Sequence, residues 1–179
     1  MLRRMAMISR LLLPFMTLLF FYSESLFVHL FPNEEWFDQK IIVPHFLIIV
    51  LFFICAFYQY RTALLYGFIF GFLFDIYYTE INGIYLVLFP FVIFLSHQMM
   101  RILHNNLLVL GIISLVNLSV LEFLVYQINL IIQRTDLTFM QFVDWRLWPT
   151  LVLNILFYLV VAFPLRNYLL RKRKEWLDD

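Results

Sequence analysis

The chain has 179 residues, 64% of them hydrophobic and 20% aromatic but only 14% charged. Soluble domains are about 45–50% apolar and about 25% charged, so a water-soluble globule is excluded; the mean hydropathy of +0.87 is that of a membrane protein. With 13 Lys and Arg against 12 Asp and Glu the net charge is +1, so no overall basic field points to nucleic acid, and a single cysteine, Cys55, excludes an internal disulfide or a multi-thiolate metal site.

Crossing about 30 Å of hydrocarbon takes about 20 mainly apolar residues as helix. The apolar runs here are continuous, not alternating, which selects helices over a barrel. Residues 1–10 form a basic tail carrying Arg3, Arg4 and Arg10. No small-residue cleavage site follows it, so the first apolar run is read as a span and not as a signal peptide. The spans predicted in chain order are 11–31, 41–60, 62–79, 81–100, 107–132 and 145–169, and a second basic tail occupies 170–179. The transmembrane domain is therefore 11–169, an all-α integral membrane bundle of six helices whose connections are too short to form a soluble domain. No internal repeat supports an inverted-repeat transporter.

Orientation follows from counting cations on each side. With both termini inside, the cytoplasm receives Arg3, Arg4, Arg10, Arg61, Arg101, Arg166, Arg171, Lys172, Arg173 and Lys174. The outside receives Lys40, Arg134 and Arg146. Trp36, Trp145, Trp148 and Trp176 fall beside the predicted boundaries, as amphipathic indoles do.

Within the third span Ala63, Gly67, Gly71 and Asp75 recur every four residues, forming one slowly winding stripe. Small residues let a second backbone approach closely, so this stripe is a candidate partner-binding groove, with packing inside the bundle as the alternative. Intramembrane carboxylates cost about 2.5–3.5 kcal/mol near a helix centre and face an interior, a cavity or a partner. Glu24, Asp75 and Glu122 are predicted at one level of the outer leaflet, and with Tyr126 they are read as lining an outward-facing polar cavity, with hydrogen bonding to neighbouring helices as the alternative. An internal ion pair would require Lys40, Arg134 or Arg146 to reach inward from the edge. Asn82-Gly83 reads as a tight turn. Arg171, Lys172, Arg173 and Lys174 favour an anionic membrane surface.

Catalytic and metal motifs are not visible. The histidines are isolated, no Gly-x-Ser-x-Gly elbow occurs, and Asp75 is the only aspartate within a span. No enzyme activity, cofactor or metal is expected.

The stretch Gly67-x-x-x-Gly71-x-x-x-Asp75, followed by Gly83-Ile84-Tyr85 and by Phe89-Pro90, resembles the MreD family of rod shape-determining membrane proteins, of the Gram-positive type. The resemblance implies a non-enzymatic scaffold of cell elongation that supports peptidoglycan synthesis in the bacterial cell membrane. It implies an MreC-like single-span partner, held on this reading by Ala63, Gly67, Gly71 and Asp75, together with MreB, peptidoglycan synthases and membrane lipids. It also implies a compact bundle similar to the substrate-binding subunits of energy-coupling-factor transporters. A vitamin-type transporter subunit is accordingly the alternative, although the Ala-x-x-x-Ala docking helix of those subunits is not present.

Overall fold

The computed structural model describes residues 2–32, 40–79, 81, 83–103 and 106–178, with side chains described between 12 and 175. Six helices occur among them: α1 (Leu2–Leu30), α2 (Phe46–Phe53, continuing as a π-helix over Ile54–Tyr58), α3 (Tyr60–Tyr78), α4 (Ile84–Ile102), α5 (Leu107–Ile131) and α6, which joins Phe139–Phe142, a π-helix at Val143–Leu147, and Trp148–Asp178. There is no strand among the described residues. Both basic tails are helical: α1 begins at Leu2 and α6 reaches Asp178, since neither tail contains Gly or Pro to stop the helix.

Among the described residues four segments are long and apolar enough to cross a membrane: Leu12–Leu30, Ile84–Ile102, Leu107–Ile131 and Phe139–Glu175. α3 is not among them, and Phe46–Tyr58 is shorter. α2 is apolar on every side, and Phe46 to Phe57 are all buried. Such a helix belongs inside a bundle, and α2 touches each of the other five helices.

The expected helix over 41–60 is corrected by the structure, because residues 41–45 are non-helical and the helix starts only at Phe46. Pro44 is the local reason: it disfavours helical geometry at Val43 and brings no N–H of its own. Backbone polar groups buried without water need partners, and α6 supplies them. Ile41 N donates to the Trp145 carbonyl at 2.7 Å, Val43 N to Thr150 Oγ1 at 3.1 Å, and His45 N to Asn154 Oδ1 at 2.8 Å. Asn154 Nδ2 returns a bond to the Val43 carbonyl at 2.9 Å. Thr150 and Asn154 lie four residues apart on one helix face, matching the two-residue spacing of the Val43 and His45 amides that they bind.

Candidate functional site

The small-residue face of α3 is occupied within the chain by α4. Ala63, Gly67, Gly71 and Asp75 are all buried. A Cβ on Gly67 would lie 2.6 Å from Ile93 Cδ1 and 3.4 Å from Pro90 N, and one on Gly71 would overlap the Tyr85 carbonyl and lie 3.0 Å from Leu86 Cα. The two backbones therefore meet where the glycines are. This corrects the reading of the stripe as a groove open to a partner: it is the α3–α4 seam. The physical reason is the short connection after Thr79, which returns the chain directly onto the face from which it left.

Asp75 closes that seam. Its Oδ1 accepts from Tyr85 N at 2.9 Å, and its Oδ2 accepts from Leu86 N at 2.8 Å and Gly83 N at 3.0 Å. A helix begins with four N–H groups that have no partner within it, and a carboxylate there also meets the positive end of the helix dipole. Gly83, at φ 111°, adopts the left-handed conformation that lets the turn bring these amides onto Asp75. Asn82 lies outside the described residues.

Glu24 does for α2 what Asp75 does for α4. Buried at 3% exposure, it accepts from Leu47 N at 2.7 Å through Oε1. Glu122 on α5 is fully buried and ion-paired: Oε1 contacts His45 Nε2 at 2.6 Å and Oε2 contacts Arg146 Nε at 2.6 Å. Arg146 is thus the outer cation that reaches in. The π-turn at Val143–Leu147 carries it, and an inserted residue of this kind re-aims side chains.

Tyr85 is also buried, and its backbone amide is one of those held by Asp75. The three carboxylates are all buried within the bundle. Asp75 and Glu122 are engaged at both oxygens, by backbone amides and by the His45 and Arg146 side chains, whereas Glu24 is held at Oε1 and its buried Oε2 has no partner among the described residues. A pocket of about 330 Å³ does open nearby, but Tyr78, Thr79, Ile81, Ile84, Tyr85, Val125, Asn129, Arg134 and Arg146 form its wall. Tyr126 serves the connection beyond α5: its hydroxyl donates to the Leu137 carbonyl at 2.9 Å and its ring stacks on Phe142 at 4.3 Å.

Composition and spacing did not single out His45, Thr150 or Asn154 as a group. The available signal was Pro44 within an apolar run, beside a polar pair spaced four residues apart in another. At the far end of α6, Arg171, Arg173 and Lys174 are exposed, while Lys172 pairs with Glu175 at 3.0 Å.

A family model described as rod shape-determining protein MreD matches residues 9–172. The chain is 37% identical over 171 residues to the rod shape-determining protein MreD of Bacillus subtilis (strain 168), a match covering 96% of this chain and 99% of that protein. No solved structure matches it. The chain is a multi-pass membrane protein that belongs to the rod shape-determining protein MreD family.

Proposed function

We propose that the protein is a non-enzymatic membrane scaffold of the bacterial cell-elongation machinery, which holds an MreC-like single-span protein and through it supports peptidoglycan synthases and the MreB cytoskeleton. The observation that carries this reading is the family match across residues 9–172. All six helices cross the bilayer and both termini are cytoplasmic, as the distribution of Lys and Arg favours. α2 crosses as a hybrid. The helix Phe46–Tyr58 supplies about 20 Å at about 1.5 Å per residue, and the five non-helical residues before it need to cover only about 10 Å more to match the hydrocarbon thickness. The exposed cations at 171, 173 and 174 rest on the anionic inner leaflet.

With the α3–α4 seam filled, the partner helix is placed on α1. A groove of about 690 Å³ runs along this helix from Phe15 to His29, with Leu18, Leu19, Tyr22 and Leu26 in its wall and the hydroxyls of Ser23 and Ser25 among them. It extends for about 21 Å at 1.5 Å per residue, the length over which two membrane helices pack, and serine side chains hydrogen-bond across such interfaces. A photo-crosslinker at Leu19, in cells that make the single-span partner, is expected to capture that partner. A crosslinker at Phe72, which is exposed on α3, is the comparison. Capture from Phe72 alone removes α1 as the docking face, and capture from neither position removes the scaffold reading.

A further inference from the structure

Three buried oxygens between α4 and α5 belong neither to the glycine seam nor to the Glu122 ion pair. Ser96 on α4 and Ser114 and Asn117 on α5 are all buried, none more than 2% exposed. Ser96 Oγ, Ser114 Oγ and Asn117 Oδ1 have no hydrogen-bond partner among the described residues. Other polar atoms of α5 are satisfied by their own helix: Ser119 Oγ donates to the Leu115 carbonyl, Asn129 Nδ2 to the Val125 carbonyl and Asn117 Nδ2 to the Ile113 carbonyl. The Ser96 and Ser114 hydroxyls do not turn back in this way. The Asn117 oxygen can only accept, and the N–H groups around it in mid-helix are already used. Lipid supplies no donor either.

The three oxygens are ordered along the contact. Asn117 Nδ2 meets Met99 Sδ at 3.7 Å, so these two residues are level where α4 and α5 pack. The connection between the helices covers only 103–106, so they run antiparallel. Ser96 and Ser114 each precede their level residue by three positions, about 4.5 Å, and in antiparallel helices those steps lead in opposite directions. Asn117 therefore stands between the two hydroxyls, in a file about 9 Å long. From this arrangement we infer that the file holds buried water, one molecule bridging Ser96 to Asn117 and a second bridging Asn117 to Ser114. A step of about 4.5 Å is within what one water spans with two hydrogen bonds of about 2.8 Å each. Water also has the right chemistry: it donates to the amide oxygen and either donates to or accepts from a hydroxyl, and buried water is held by polar groups that lack other partners. An ion would bring charge to three uncharged groups, and an apolar guest would leave them unpaired. The inference is independent of the scaffold reading.

X-ray radiolysis of the full chain in nanodiscs, read by mass spectrometry, tests it. Radiolysis generates hydroxyl radicals from water where it is held, and a methionine beside that water is oxidised to the sulfoxide. Met99 touches Asn117, and Met100, 7% exposed, lies one turn from Ser96 on the same helix face. Both are expected to be labelled at the shortest exposures. Hydrogen peroxide added to the bulk solution is expected to oxidise the exposed Met140 and to spare Met100. Ser96→Ala should lower radiolytic labelling of Met100, and Ser114→Ala that of Met99, at least threefold. Each should also lower Tm by about 2–4 °C, the loss of about one hydrogen bond, whereas removing a hydroxyl with no partner at all would leave Tm unchanged or raise it. Met100 that escapes radiolytic labelling, or is labelled equally in wild type and Ser96→Ala, overturns the inference. So does oxidation of Met100 by both agents, which reads access from the bulk, and so does an unchanged or raised Tm in either serine variant.

Discussion

The carboxylate of Asp75 takes the amide hydrogens of both Tyr85 and Leu86, at 2.9 and 2.8 Å, so the last turn of α3 caps the first turn of α4. The acid that ends the small-residue stripe thereby holds the stripe against its own neighbour. Asp75→Ala leaves one buried and two partly buried amides without their acceptor and is expected to destabilise the protein by about 2–4 kcal/mol. Asp75→Asn keeps one carbonyl oxygen and should lose less. Thermal unfolding of the purified protein in detergent checks the order: wild type highest, Asn intermediate, Ala lowest. An Ala variant as stable as wild type would remove the cap from the account.

The two seam glycines are expected to respond differently to one added methyl group. At Gly71 the new Cβ meets the backbone of Tyr85 and Leu86, which cannot move without shifting α4; at Gly67 the closest atom is the flexible end of Ile93. Gly71→Ala should therefore cost about 1–3 kcal/mol or more, and Gly67→Ala clearly less. Both losses should appear in the isolated protein with no partner present. Unchanged stability combined with lost partner co-purification would restore the stripe as an intermolecular surface.

Helix count and the special character of Asp75 were legible in the sequence because hydrophobic length and an intramembrane acid are local signals. The occupant of the stripe was not, because three small residues spaced four apart look the same to a neighbouring helix and to a foreign one. Only the return of α4 through Gly83 decides between them. Residues 41–45 were hidden for a related reason. Their apolar composition satisfies a helical reading, and the partners that make a non-helical conformation tolerable, Thr150 and Asn154, are more than a hundred residues away. Glu122 drew attention as a costly charge, but its partner Arg146 reads only as a cation at the outer edge of the sixth span, and the π-turn that carries it inward has no local sequence signal.

Asn154 should control the non-helical segment. Its side chain accepts from His45 N and donates to the carbonyls of Val43 and Thr150, and Asn154→Leu removes these bonds while filling a similar volume. The expected cost is about 2–4 kcal/mol, since two buried backbone groups of the non-helical segment lose their partner. Hydrogen exchange localises the effect: the His45 amide should exchange faster, while amides in the middle of α5 keep their protection. Uniformly faster exchange across the bundle would mean that Asn154 supports the whole fold and not this segment.

Glu122 and Arg146 should prove unequal partners. Glu122 is fully buried, whereas Arg146 is 22% exposed, so water can reach the arginine when the glutamate is neutralised but cannot reach the glutamate when the arginine is removed. Arg146→Gln leaves Glu122 with only His45 to balance it and should cost about 3–5 kcal/mol, the range for breaking a buried pair. Glu122→Gln should cost less, because its amide still offers His45 a partner and the released guanidinium is partly hydrated. The double variant should recover about 1–3 kcal/mol relative to the sum of the single losses, the coupling expected of residues in direct contact. A double-mutant cycle on unfolding in detergent measures all three quantities. Strict additivity would show that the 2.6 Å contact contributes nothing to holding the π-turn of α6 against α5, and the inward reach of Arg146 would then need another cause.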